Sequence, residues 1–172
     1  ADSGFTLRLD ANEKFELKAF LDFWYSLGGY RESIEFVEDP SVWGRQHWTT
    51  LSDAGIPIAV DRDAEERFES GYVAVIKPAL SEWIPPEPEA FLFTSYMDHP
   101  VGQVWAASVA AGVAESESGA RLKECGLLTQ RCYEPNEFSE CLVVKKGRLM
   151  PPPGTGLGFD EVLEGLPWKP LN

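Results

Sequence analysis

Two rhythms of apolar residues alternate along the chain. Phe5-Thr-Leu-Arg-Leu-Asp10 alternates apolar and polar positions, which predicts a strand ending at Asp10. From Glu13 to about Leu27, the apolar residues Phe15, Ala19, Phe20, Phe23, Trp24 and Leu27 fall three and four apart. That spacing predicts a helix face, which Gly28-Gly29 would end. Ile34 to Glu38 predicts a second strand closed by Asp39-Pro40, and Trp43 to about Ala54 a helix with Gly55 in the stop position. Ile56 to Asp61 is a third short apolar strand, followed by a brief helix within Asp63 to Arg67. Tyr72 to Lys77 predicts a fourth strand, Ala90 to Ser95 a fifth, and Pro100 to Val113 a helix with proline near its first turn.

Strands alternating with helices indicate parallel βα units, and continuous apolar strands suit a sheet covered on both faces or packed inside a barrel. Doubly wound sheets and barrels both satisfy this pattern. Pro85-Pro-Glu-Pro88 stands where a helix would join the fourth and fifth strands, so a proline-stiffened loop is expected to replace one outer helix. The tail, Pro151-Pro-Pro-Gly-Thr-Gly-Leu-Gly158, reads as a surface loop followed by a short amphipathic piece and Trp168. Its glycines lack the preceding strand and the spacing of a dinucleotide fingerprint, so a phosphate-binding reading is rejected.

Composition narrows the picture. The chain has 172 residues, against roughly 250 for a typical closed (β/α)8 barrel. Hydrophobic residues make up 44%, with 10 Phe, 6 Trp and 5 Tyr, enough to build a core. Fifteen Lys and Arg face 28 Asp and Glu, giving a charge of −13 that repels nucleic acid and anionic membrane surfaces. Cys125, Cys132 and Cys141 form no CxxC pair, which suits reduced thiols in a cytoplasm, and His47 and His99 lie too far from them to suggest zinc. The start is polar and unlike a signal peptide, and no run approaches the roughly 18 apolar residues of a membrane helix. A soluble, cytoplasmic protein is expected.

The acidic residues matter through position. Asp10, Glu38 and Asp61 stand at the carboxyl ends of three successive predicted strands, each step about one βα repeat, so parallel packing would bring them to one rim. A single such residue is commonly a helix cap or turn former. Three clustered carboxylates repel one another unless a hard cation neutralises them, and oxygen ligands around an octahedral ion suit Mg²⁺. Lys77 ends the fourth strand at the equivalent point, where an ammonium beside carboxylates and an anionic substrate finds partners. The bland alternative is a lysine reaching to solvent from the rim.

Together these segments resemble the enolase superfamily, in its muconate-cycloisomerase-like branch. The resemblance is carried by Asp10-Ala-Asn12, Val37-Glu-Asp-Pro40, Val60-Asp61 and Ile76-Lys-Pro78, each following a strand. Thr94-Ser-Tyr-Met-Asp-His-Pro-Val-Gly102 looks like the seventh-strand segment of the o-succinylbenzoate synthases, and Pro153-Gly-Thr-Gly-Leu-Gly158 like the return from barrel to cap in that family. The implied fold is a partial TIM-type (β/α) barrel over residues 1–150, with a return segment over 151–172. The implied cofactor is Mg²⁺, with Mn²⁺ as a substitute, held by Asp10, Glu38 and Asp61. The ion would bind a substrate carboxylate and stabilise the enediolate formed when the α-proton leaves, the logic general to enolase-superfamily sites. Lys77 would stabilise the enediolate, Asn12 would support the metal shell, and Ser95 and Asp98 would lie near substrate. His99 could touch the substrate, with a structural histidine as the favoured reading.

The implied reaction is dehydration of 2-succinyl-6-hydroxy-2,4-cyclohexadiene-1-carboxylate to o-succinylbenzoate on the route to menaquinone. The Lys-x-Lys pair of such synthases lies on the strand before the Asp10 strand. An excised piece, in preference to a degenerate relative without its base, is therefore expected, its missing partners being the N-terminal capping domain and early barrel strands of the same polypeptide. An N-acylamino acid racemase or dipeptide epimerase on the same scaffold is the near alternative, with Lys77 as an acid/base. A non-catalytic acidic binding module, its carboxylates acting only as caps, is the alternative of another class.

Overall fold

A computed structural model describes residues 4–86 and 88–169. Glu87 of the expected proline loop lies outside the described residues, as do Ala1 to Ser3 of the polar start and the last three residues of the return segment. Five strands join one sheet in chain order: β1 (Leu7–Asp10), β2 (Ile34–Glu38), β3 (Ile58–Val60), β4 (Val73–Ile76) and β5 (Ala90–Phe93). The β1/β2, β2/β3 and β3/β4 pairs are parallel. A doubly wound sheet reverses its strand order at a switch point, whereas an unbroken sequential order is that of a barrel wall. The fold is the expected partial TIM-type barrel.

The chain divides into two compact units. The first comprises Ala1–Ile76 and Trp83–Phe91, and the second Lys77–Glu82 and Leu92–Asn172.

In the first unit, helices α1 (Leu17–Ser26) and α2 (Arg45–Asp53) follow β1 and β2, and the short α3 (Ala64–Arg67) follows β3. Strand side chains alternate between faces. Leu9, Val37, Ile58 and Val60 pack with Phe20 and Trp24 of α1 and Trp48 and Leu51 of α2. Each such fully buried side chain contributes about 1.5–3 kcal/mol relative to exposure. Trp48 is fully buried. It meets Trp43 edge-on at 4.8 Å and Tyr72 at 6.0 Å, and its Nε1–H donates to the Ser41 carbonyl at 3.1 Å.

The opposite face of the same strands carries Arg8, Phe36, Ala59 and Val73, linked in register. The Arg8 guanidinium lies 5.0 Å over the Phe36 ring.

Helix α1 starts four residues later than its apolar spacing suggests, because Asn12 and Glu13 adopt left-handed φ angles of 48° and 56°. That turn is fixed by the Glu13 N–H donating to the Asp39 carbonyl at 2.9 Å. Between β4 and β5 the Lys77 carbonyl accepts the N–H groups of Leu80 and Ser81, a turn, and the described residues there form no helix.

In the second unit α4 (Pro100–Ala114) carries its proline in the first turn and buries Gln103, Val104, Ala106 and Ala110. Beyond it Gly126 comes back parallel to Thr94: its N–H donates to Phe93 at 3.0 Å and its carbonyl accepts from Ser95 at 3.1 Å. This further β/α step is invisible in the apolar pattern, since a single bridge needs no run of strand formers. The short α5 (Glu137–Glu140) is fixed by a reciprocal cap between Asn136 and Ser139. A hairpin, β6 (Val143–Lys145) and β7 (Arg148–Met150), turns on Lys146 and Gly147, both at positive φ as tight hairpins require.

The Pro/Gly tail is held rather than loose. Thr155 donates its N–H to Asp160 at 2.9 Å, and α6 (Asp160–Gly165) is a short helix with no buried residue. Gly158 sits at φ +83°, with the Pro152 carbonyl oxygen 2.6 Å from where a Cβ would be. Among the described residues, no helix is long and apolar enough to cross a membrane.

Candidate functional site

Asp10 and Glu38 are register partners at the ends of β1 and β2, and Glu38 is paired with Ala59, two residues before Asp61. The ladder continues past the assigned strands, with Ala11 donating to the Glu38 carbonyl and Asp39 to the Ala59 carbonyl, both at 3.0 Å. Register partners share a face and residues two apart share it too. Asp10 and Glu38 are therefore level with one another, and Asp61 stands two residues further along on the same face and at the same rim, on neighbouring strands spaced by about 4.8 Å.

Their surroundings differ. The exposed Asp10 carboxylate accepts the Asn12 backbone N–H at 2.9 Å and the Asn12 side-chain amide at 2.7 Å, an Asx-type turn. Glu38 and Asp61 are half-buried. Asp39, which the sequence presented only as a strand stop, is 1% exposed. One of its oxygens accepts the Asp61 N–H at 3.2 Å and the other the Arg62 N–H at 3.4 Å.

Burial pushes the Asp39 carboxyl up to about 6, the Asp61 charge adds to that push, and the two backbone donors oppose it. The Arg62 guanidinium lies 3.6 Å from Asp39 through Nε and donates from Nη2 to the Asn12 side-chain oxygen at 3.0 Å. Neither Asp39 nor Arg62 was singled out from the sequence. A buried acid beside a strand end and a surface arginine leave no periodic mark, and the neighbouring Glu38 and Asp61 were the only local signal.

Oxygen donors of this kind suit a hard divalent cation. The backbone brings their carriers together, but the side chains do not close around one point: among the described residues, no three His, Cys, Asp or Glu side chains stand close enough to hold a metal ion. Asp10, with both oxygens on Asn12, would have to turn toward Glu38 for an ion to be held.

The remaining expected residues belong to the second unit. Lys77 follows β4 directly and is half-buried. Ser95 is buried, and its hydroxyl shares a hydrogen bond with that of Thr129 at 2.9 Å. Gln103, also fully buried, holds the Thr129 N–H at 3.2 Å and the Asp98 carbonyl at 3.4 Å.

Asp98, His99, Tyr133 and Asn136 line a cavity of about 350 Å³. The Tyr133 hydroxyl donates to the Met97 carbonyl beside it. One oxygen of Asp98, Oδ1, is buried without a hydrogen-bond partner among the described residues. His99 accepts the Val101 N–H at 3.4 Å at the start of α4 and meets Phe138 edge-on at 4.6 Å. Both contacts are of a kind a structural histidine makes, and the same residue borders the cavity.

No family model matches the chain. Among curated proteins it is similar to the o-succinylbenzoate synthase of Bdellovibrio bacteriovorus, 33% identical over 184 residues, a match that takes in 100% of this chain. The chain spans 56% of the length of that relative.

Proposed function

We propose that the chain is the metal-binding part of an enolase-superfamily lyase that dehydrates 2-succinyl-6-hydroxy-2,4-cyclohexadiene-1-carboxylate to o-succinylbenzoate in menaquinone biosynthesis. The observation that carries this reading is that Asp10 and Glu38 are register partners and Asp61, two residues beyond the partner of Glu38, shares their face on the next parallel strand. The similarity to a protein named o-succinylbenzoate synthase supports the choice of reaction.

In this reading Asp10, Glu38 and Asp61 would hold Mg²⁺, or Mn²⁺ in its place, once Asp10 turned from Asn12 toward Glu38, and Asn12 would support the metal shell by hydrogen bonding. The ion supplies charge stabilisation to the substrate carboxylate, worth several kcal/mol at a developing oxyanion. Lys77 adds a positive charge that favours the enediolate over the neutral substrate. Proton removal belongs to a lysine on a barrel strand that precedes β1 in such synthases. Ser95 and Asp98 contribute to substrate placement. The capping domain and early strands of the same polypeptide complete the site, and three cysteines with no CxxC pair suit a cytoplasmic setting.

The test is an assay of the polypeptide that carries this chain, following loss of the cyclohexadiene carboxylate in parallel with racemisation of N-succinyl amino acids. Dehydration that is lost in Lys77→Ala supports the reading. Racemisation without dehydration overturns the choice of reaction in favour of the racemase on the same scaffold.

A further inference from the structure

The cavity of about 350 Å³ in the second unit has two walls. Met97, Asp98 and Pro100 come from the segment after β5 and the start of α4, and Tyr133 and Glu134 from the segment before α5. The walls are tied by hydrogen bonds. The Tyr133 hydroxyl donates to the Met97 carbonyl, and the buried Gln103 side chain donates to the Asp98 carbonyl at 3.4 Å while accepting the Thr129 N–H at 3.2 Å.

Asp98 is the group whose chemistry this space leaves open. Glycine at position 102 makes room for its carboxylate, which a Cβ there would strike. Its Oδ1 is buried and has no hydrogen-bond partner among the described residues. Such an oxygen costs free energy until a donor reaches it.

The surroundings specify the donor. Asp98 and Glu134 are both acidic, and no lysine or arginine is among the described residues that line the cavity. A cation is attracted to such a place and a carboxylate is repelled. Met97, Pro100 and the Tyr133 ring add apolar surface. That lining suits an organic cation with an apolar body better than a hydrated metal ion, and an ammonium near an aromatic face gains further attraction.

We propose that this cavity is a binding site for a small organic ammonium, its N–H donating to Asp98 Oδ1 and its apolar body lying against Met97, Pro100 and Tyr133. The site goes beyond the dehydration reading and does not rest on it, since the charge of the cavity selects against a carboxylate, whatever part Asp98 takes in placing the rest of that substrate.

The experiment follows benzylamine binding to the protein carrying this chain, by ligand-observed NMR and calorimetry at low ionic strength. Benzyl alcohol and benzoate serve as comparisons that keep the ring and change the charge. The variants are Asp98→Asn, Glu134→Gln and Glu115→Gln, the last an exposed acid at the far end of α4. Saturable binding of benzylamine is expected, with benzyl alcohol at least about tenfold weaker and benzoate not bound. Asp98→Asn should weaken benzylamine binding at least about tenfold, Glu134→Gln about two- to threefold, and Glu115→Gln not at all. Thermal melts verify the fold of each variant, and Glu134→Gln, at an exposed position, decides the matter where Asp98→Asn melts early.

Equal binding in the parent and both cavity variants overturns the proposal. So does an equal loss in Glu115→Gln, which would make the acidity of the whole chain the cause. Preference for benzoate, or no binding of benzylamine, overturns it too and leaves water as the partner of Asp98. None of these outcomes touches the dehydration assay, which contains no amine.

Discussion

Asp10 and Glu38 face one another in register at the ends of two parallel strands. Their neighbours in sequence, Leu9 and Val37, are also paired and point the other way, into the helix-packed core. One pleat thus separates a residue that holds the fold together from one available for chemistry.

That alternation gives the first prediction. Asp10→Asn, Glu38→Gln and Asp61→Asn each lower Mg²⁺ affinity by more than about tenfold, since they remove ligands rather than their supports. Glu35, offset from Glu38 and paired with Arg8 at 2.8 Å, is the control. Glu35→Gln leaves Mg²⁺ affinity unchanged and alters stability by less than about 1 kcal/mol, as befits a solvent-screened pair. Calorimetric titration of the four variants measures the contrast.

Trp48 carries a second prediction, about the fold. It is fully buried between Trp43 and Tyr72, with its Nε1–H on the Ser41 carbonyl. Trp48→Ala should cost about 3–5 kcal/mol. Trp48→Phe keeps part of the packing but leaves the Ser41 carbonyl without that donor, at about 1–3 kcal/mol. Urea unfolding followed by far-UV circular dichroism ranks the two.

The core and the trio were legible in the sequence for the same reason: both obey the periods of strand and helix. Phe20 and Trp24 lie four apart and both are buried, while Asp10 and Glu38 end their strands and Asp61 directly follows its own. What stayed hidden obeys no period. Asp39 is buried by the fold of the strand ends, Arg62 is engaged through residues fifty positions away in the chain, and Gly126 joins β5 through a single bridge. The start of α1 was misplaced because apolar spacing cannot report the left-handed turn at Asn12 and Glu13. The hairpin of β6 and β7 escaped notice because its strands are three residues each.

Asp39 gives a third prediction, in pH. Its carboxyl, ordinarily at 3.8, is pushed up to about 6, first by burial and then by Asp61, against the pull of two backbone donors. A carboxyl with a folded value above its unfolded one holds its proton more tightly in the folded chain. Its contribution to stability is therefore present in full below about 4, is lost as pH rises toward about 6, and is flat beyond. The loss amounts to about 3 kcal/mol. In metal-free buffer, urea unfolding of the parent should weaken relative to Asp39→Asn between about pH 4 and pH 7. A parent that gains stability relative to the variant over that window would contradict the assignment.

Gly102 and Asp98 give a fourth. A Cβ on Gly102, in the first turns of α4, would run into the Asp98 carboxylate. Alanine in place of a helical glycine is otherwise worth about 1 kcal/mol of stability. Gly102→Ala should therefore stabilise the Asp98→Ala background and fail to stabilise the parent. A thermal-melt cycle over the four combinations reads the coupling, and equal effects in both backgrounds would show that the carboxylate does not occupy that space.

Whether one cation is held by Asp10, Glu38 and Asp61 is decided by a calorimetric Mg²⁺ titration of the protein that carries this chain, with Glu38→Gln alongside. A single saturable site is expected in the parent and its loss in Glu38→Gln. Equal heats in the two proteins would contradict it and leave the strand-end carboxylates as caps and turn formers.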